Sequence, residues 1–102
     1  MQNFNVNMSE AAKQDLSDIV DYLSDFSNTI AERYFELIMK KVGSLGIFPT
    51  GHALVQDPDL REAGYRWASV RNYTLFFVVY EEKELVVVER ILYSRRAYDA
   101  IL

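Results

Sequence analysis

Residues 73–80 read Tyr-Thr-Leu-Phe-Phe-Val-Val-Tyr and residues 85–93 read Leu-Val-Val-Val-Glu-Arg-Ile-Leu-Tyr, with Glu81-Glu82-Lys83-Glu84 between them. Aromatic and β-branched side chains fill both runs, and these suit the pleated, half-buried surface of a sheet. The short charged linker lets the two runs pair as an antiparallel hairpin. With Tyr80 opposite Leu85, an unbroken register sets Phe76 opposite Glu89 and Thr74 opposite Ile91. One face then holds Thr74, Phe76, Val78, Val87, Glu89 and Ile91. The other holds Tyr73, Leu75, Phe77, Val79 and Val86, continuing through Val88, Arg90 and Leu92. The second face is the more apolar and is expected to carry the helices. The first stays partly open, so that Phe76, Val78 and Val87 make a patch suited to a protein partner.

Working back from the hairpin, Tyr65–Val70 has the composition of a further strand, and Pro49, Gly51, Pro58 and Gly64 punctuate the stretch before it. That stretch, 47–64, is expected to be a loop with one helical turn near Leu60. Upstream, Ala12, Leu16, Ile19, Leu23 and Phe26 recur at steps of four and three, which predicts a helix from Ser9, its N-cap, to Phe26. Its opposite face, Lys13, Gln14, Asp18, Asp21 and Asp25, reads as solvated surface. A second helix, capped by Asn28 or Thr29, has an apolar stripe of Ile30, Tyr34, Leu37, Ile38 and Leu45, and Gly43 and Gly46 weaken and end it. So short a break forces the two helices into an antiparallel hairpin. Phe4–Met8 alternates as a short first strand. Beyond the sheet, Arg95–Leu102 is expected to form a short helix that returns Tyr98, Ile101 and Leu102 to the core. The fold class is therefore α+β: strand, two-helix antiparallel hairpin, three-stranded antiparallel sheet and short C-terminal helix, with 1–102 as a single domain.

Half of the 102 residues are hydrophobic and 25% are charged, a balance that can offset the entropy of ordering. With no cysteine, disulfides and thiolate zinc sites are excluded. No metal and no cofactor is expected. No run approaches a membrane span and the first residues lack a basic and apolar leader, so a cytoplasmic location with no membrane partner is expected. A net charge of −4 argues against broad coating of nucleic acid. Charge type shifts along the chain, however: of the seven basic residues after position 51, six are arginine. Arginine is favoured where planar, bidentate contacts to carboxylate or phosphate are wanted.

Catalytic groups are sparse, with one histidine, His52, in a loop where solvation is the ordinary expectation. The richer constellation is Arg66, Arg71, Arg90, Arg95 and Arg96 with Trp67, Tyr93 and Tyr98. Three readings of it stand. Guanidinium groups clamp phosphates and rings stack on bases, with a tyrosine hydroxyl moving a proton. Alternatively it docks an acidic protein segment. Or Arg66 and Arg71 are plain surface residues, Tyr98 is core, and Arg95 and Arg96 pair with Glu89 or Asp99.

The order of elements, with Tyr65-Arg66, Val70-Arg71-Asn72-Tyr73, Phe76–Tyr80 and above all Glu89-Arg90-Ile91-Leu92-Tyr93-Ser94-Arg95-Arg96-Ala97-Tyr98, resembles the RelE/ParE toxin superfamily of type II toxin–antitoxin systems. The resemblance spans nearly the whole chain. It implies a growth inhibitor of the kind that stabilises plasmids, silenced by a cognate antitoxin that alone mediates any contact with operator DNA. The target it implies is either DNA gyrase, as for ParE-type members, or messenger RNA in the ribosome, as for the ribonucleases. A third possibility is an inactive relative that only binds antitoxin. Where the ribonucleases commonly have arginine in the segment corresponding to Asn72-Tyr73-Thr74, this chain has Thr74, and where many relatives have histidine before the terminal arginine pair it has Tyr93. A neutral hydroxyl cannot stabilise phosphorane charge as a guanidinium does. A ParE-like, non-nucleolytic toxin is the expectation, with Arg66, Arg71, Arg90, Tyr93, Arg95 and Arg96 as target-binding residues and Phe76, Val78 and Val87 as antitoxin-binding residues. Were it a ribonuclease, Tyr93, Arg95, Arg96 and Tyr98 would carry the catalysis.

Overall fold

A computed structural model describes residues 3–96, with Arg96 described by its backbone alone. The elements run β1 (Asn5–Met8), α1 (Glu10–Ser24), α2 (Asn28–Ser44), α3 (Pro58–Glu62), β2 (Tyr65–Val70), β3 (Tyr73–Tyr80) and β4 (Leu85–Tyr93). The strands form one sheet in the order β1-β4-β3-β2, antiparallel except for the parallel pair β1 and β4. The expected α+β architecture is therefore present, with β1 added to make a four-stranded sheet. Of the expected C-terminal helix, the described residues include a 3₁₀ turn over Ser94–Arg96; Tyr98, Ile101 and Leu102 lie outside them.

Capping residues fix the helix starts. The Ser9 hydroxyl accepts from the Ala12 amide at 3.0 Å, as expected, and donates to the Glu89 carbonyl at 2.8 Å, so one side chain both caps α1 and fastens it to β4. The cap of α2 is Ser27, one residue earlier than expected, its hydroxyl accepting from the Ile30 amide. The buried residues of this segment are Ala31, Ile38, Val42 and Leu45, whereas Ile30, and Phe26 beyond the end of α1, are 45% and 71% exposed. Past the helix, a Cβ on Gly46 would lie 2.4 Å from the Phe4 carbonyl oxygen. The absence of a side chain there lets the Phe4 amide donate to the Gly46 carbonyl at 2.8 Å, drawing the incoming chain of β1 against the end of α2.

The hairpin register is as expected from Tyr80↔Leu85 to Phe77↔Val88 and then breaks: Phe76 pairs with Arg90, Leu75 with Ile91 and Thr74 with Leu92. Glu89 is the extra residue of a β-bulge. The bulge corrects the expected faces beyond it. Ile91 joins Leu75, Phe77, Val86 and Val88 in the core beneath the helices, and Leu92 moves to the face of Phe76.

The face of Phe76, expected to stay partly open, is not open. Phe76 is 3% exposed and Val78 9%, because the segment before β2 folds back over them: Val55, Leu60 and Tyr65 pack with Phe76 and Leu92. The expected loop is thus a structured cover. Its backbone pairs with the margin of β2, the Val55 amide donating to Tyr65 and the Trp67 amide to Ala53. The Arg66 guanidinium donates to the carbonyls of Thr50 at 3.3 Å and His52 at 2.6 Å. Asp57 caps α3, with Pro58 in its first turn, supplying the helical turn expected near Leu60.

Because β1 ends at Met8 while β4 continues to Tyr93, the far half of β4 lacks a strand neighbour on that side. Asp15 of α1 takes its place. One carboxylate oxygen accepts from the Ile91 amide at 2.9 Å and from Arg90 Nε at 2.7 Å, and the other from Arg90 Nη2 at 3.0 Å. This bidentate pair is charge-assisted and its carboxylate is well buried, with 13% of the side chain exposed. The hydrogen bond to Asp15 also pushes the Arg90 pKa up. Replacement Asp15→Ala leaves an amide and a guanidinium unpaired, and a loss of about 2 kcal/mol is expected. In a domain of this size that lowers Tm by roughly 10 °C, which thermal denaturation followed by circular dichroism checks against Asp18→Ala as a control.

Candidate functional site

At the end of the sheet where β4 stops, four pieces of chain converge. Arg71 and Asn72 form the two-residue turn between β2 and β3. The Ser94 amide donates to the Asn72 carbonyl at 2.8 Å, and the hydroxyls of Thr74 and Ser94 meet at 2.9 Å, fixing the start of the C-terminal segment against that turn. From the helical hairpin, the Tyr34 hydroxyl donates to Asn72 Oδ1 at 3.3 Å. Rings continue the contact: Tyr34 meets Tyr73, and Tyr73 meets Tyr93, edge to face at 5.9 and 5.8 Å between centroids.

These rings line a groove of about 640 Å³ between α1 and the sheet end. Tyr22, Tyr34, Tyr73 and Tyr93 form its aromatic part, Ile19 and Leu23 an aliphatic wall, and Asp15 and Asp18 its acidic margin. Tyr73 is nearly buried, and burial, followed by the neighbouring tyrosines, pushes its pKa up, so its phenol is neutral at physiological pH. Arg95 lies two residues beyond Tyr93 and is exposed, as is Arg71 in the adjoining turn. The site is therefore an uncharged aromatic groove with carboxylates on one bank and arginines near its end.

The structure divides the constellation expected from the sequence. Arg71, Tyr93 and Arg95 are brought to this end, and the Arg96 backbone with them. Arg90 is committed to Asp15 and Arg66 to the cover segment, so both act in holding the fold. Trp67, 42% exposed, pairs with Phe76 and so belongs to the other face of the sheet. Among the described residues the ion pairs are Lys13 with Glu10 and Arg90 with Asp15; Arg95 does not pair with Glu89. Phe76 and Val78, expected to await a partner, are covered by the chain itself, and Val87 is half-buried.

Two further groups bear on chemistry. His52 is not simply solvated: its ring packs edge to face on Phe77 at 5.4 Å, and burial, with Lys41 and Arg66 behind it, draws its pKa down. It is a neutral packing residue. On the cover side, burial and then Glu89 raise the pKa of Tyr65, which suits a hydroxyl that stays protonated. Among the described residues no group of three or more His, Asp or Glu side chains is placed to hold a metal ion. No described helix is long and apolar enough to cross a membrane.

The sequence reading missed the helix side of the groove. Asp18, Ile19, Tyr22 and Leu23 follow the i, i+1, i+4, i+5 spacing of one helix face, and Tyr34 sits on the facing helix. That spacing was the available signal, although only the tertiary structure brings it to the sheet end.

Residues 6–98 match the family described as ParE toxin of type II toxin-antitoxin system, parDE. No curated protein matches the chain significantly by sequence. Among solved structures, the chain is similar to one from the chromosomal ParDE toxin–antitoxin system of P. aeruginosa, at 18% identity and a TM-score of 0.73, with 88% of this chain and 95% of that one covered. It is similar to one from the RelBE2 toxin–antitoxin complex of Mycobacterium tuberculosis at 19% identity and a TM-score of 0.69, with 89% and 98% covered. It also resembles a chain of the E. coli RelBE complex, at 19% identity and a TM-score of 0.56, covering 87% and 94%. At these identities the likenesses speak for the fold. The match over residues 6–98 carries the family: the chain belongs to the ParE toxins of type II toxin–antitoxin systems, within the RelE/ParE superfamily.

Arg71 holds a left-handed backbone, φ 56°, at a turn position where glycine or asparagine is cheaper by about 1 kcal/mol. Arg71→Gly is therefore expected to raise Tm by a few degrees. Scanning calorimetry of the purified variant checks this, and an unchanged or lowered Tm would show that the arginine side chain contributes more to the fold than its backbone costs.

Proposed function

We propose that this toxin arrests growth by binding DNA gyrase without cutting nucleic acid, and that a cognate antitoxin silences it. The observation that supports the reading is at Thr74, where the ribonucleases of the superfamily commonly have arginine: its neutral hydroxyl meets Ser94 and offers no guanidinium to the charge that builds on phosphorus. Arg90 and Arg66, bound by Asp15 and by two carbonyls, supply none in its place.

What remains exposed at the sheet end, Arg71, Tyr93 and Arg95, suits contact with a protein surface, where arginine and tyrosine are favoured anchors. Operator DNA is reached through the antitoxin, in keeping with the acidic net charge.

Induced alone, the protein is expected to stop growth. The purified protein should inhibit supercoiling by gyrase, and primer extension on abundant transcripts should show no new ends. Cuts within translated codons soon after induction would assign the ribosome as target and overturn the gyrase reading. The double substitution Arg95→Ala with Arg96→Ala should relieve the arrest while Tm stays within a few degrees of wild type, since an exposed arginine contributes at most about 1 kcal/mol to folding whereas an interface anchor is worth about 2 kcal/mol or more. Full toxicity in the folded double variant would remove these arginines from the target surface.

A further inference from the structure

We infer that the tyrosine-lined groove between α1 and the sheet end receives a cationic side chain, arginine or lysine, flanked by apolar residues on a segment of the antitoxin. The inference rests on the reading that an antitoxin binds this chain, and it names the chemistry by which one part of it is held.

The two carboxylates beside the groove differ in state. Asp15 is satisfied by Arg90 and the Ile91 amide. Asp18, by contrast, accepts from the neutral side-chain amide of Gln14 at 2.9 Å, and no cation among the described residues pairs with it. Its carboxylate stands without a cationic partner among the described residues at the edge of the aromatic surface. Nor is it relieved by its helix: α1 also carries Glu10 and Asp21, Asp25 follows as its C-cap, and the single lysine, Lys13, pairs with Glu10. A helix C-terminus is itself a partial negative charge, and α1 has no basic residue in its last turn to offset it.

The rings add in the same direction. A tyrosine face is the negative part of the ring quadrupole and attracts guanidinium or ammonium groups within about 6 Å. The Tyr73 phenol, kept neutral by burial, contributes an aromatic surface without a competing charge of its own. An acidic side chain on the α1 bank of the groove would face Asp18 and the α1 terminus, and the arginines lie toward the other end, by the turn and the end of β4. A purely apolar one would leave the Asp18 carboxylate desolvated without a partner, which is costly. A volume of about 640 Å³ also exceeds one side chain, so the neighbours of the cation must fill the rest against Ile19 and Leu23.

The test uses the acetylated and amidated peptide Leu-Ala-Arg-Ala-Ala-Leu and its counterpart with citrulline for arginine, which keeps the shape and loses the charge. Each is titrated into the whole ¹⁵N-labelled protein and followed by amide chemical shifts. The arginine peptide is expected to move the resonances of Tyr22, Asn72, Tyr73 and Tyr93 and to bind about tenfold more tightly than the citrulline peptide. Asp18→Asn, whose spectrum reports whether it remains folded, should abolish that difference, and Asp25→Asn should keep it. Equal affinities, shifts away from the groove, or no binding of either peptide would overturn the inference. So would self-association of the protein that competes with the peptide, since the groove would then belong to a second copy. With the antitoxin itself, Asp18→Lys should weaken the complex by about a hundredfold. An antitoxin that binds this variant as tightly as wild type overturns the inference while leaving the toxin reading intact. Failure of any antitoxin to bind the wild type removes that reading, and the peptide pair then decides the chemistry of the groove alone.

Discussion

Asp15 gives the margin of β4 the hydrogen bonds that a neighbouring strand would otherwise supply, and most of the architecture follows from that substitution. Because one carboxylate meets both the Ile91 amide and the Arg90 guanidinium, the chain can end β1 at Met8 and still bury the far half of β4. The bulge at Glu89 belongs to the same arrangement. It shifts Ile91 into the core and brings Arg90 to where α1 can hold it. Without Asp15, the far half of β4 loses its edge partner and one of its two ties to α1, leaving the Ser9 hydroxyl on the Glu89 carbonyl as the other.

The same economy shapes the surface. A small toxin of this family has few charged groups to spare, and the fold takes two arginines that composition alone would assign to a target. What is left is sorted in space: carboxylates on the α1 bank of the groove, arginines toward the turn and the end of β4, and tyrosines between them. A surface divided in this way can orient a bound segment end to end, because reversing it would place like charges together.

Much of this was legible in the sequence. Strand composition and the Glu81–Glu84 linker placed the hairpin in its true register as far as Phe77, and Ser9 announced α1. The bulge was not legible, since an inserted residue has no composition of its own; Glu89 looks like any exposed strand residue, and its effect is felt at Ile91 and Leu92. The cover over Phe76 was hidden for a related reason: Val55 and Leu60 sit among Pro and Gly signals that say turn, and only their pairing with β2 shows what they bury. At the groove, Arg71, Tyr93 and Arg95 were visible because they lie close in the final strands. Asp18 reads as solvated surface and Tyr34 as part of an apolar stripe, because helical spacing reveals which residues share a face but not what that face meets.

The parallel pairing of β1 with β4 has a consequence for the order in which the molecule can form. The Ser9 hydroxyl and the Glu89 carbonyl are 80 residues apart in sequence, and Asn5 pairs with Leu85. Closing so long a loop costs entropy before any contact repays it, so topologies of high contact order fold slowly. The helical hairpin has only local contacts to make and can appear early, but its apolar stripe has no sheet to cover until the last strands are synthesised. During translation the chain is thus without its groove and its arginine-bearing end until β4 has emerged. The walls of the groove therefore come together in one step, with β4, and not in stages along the chain.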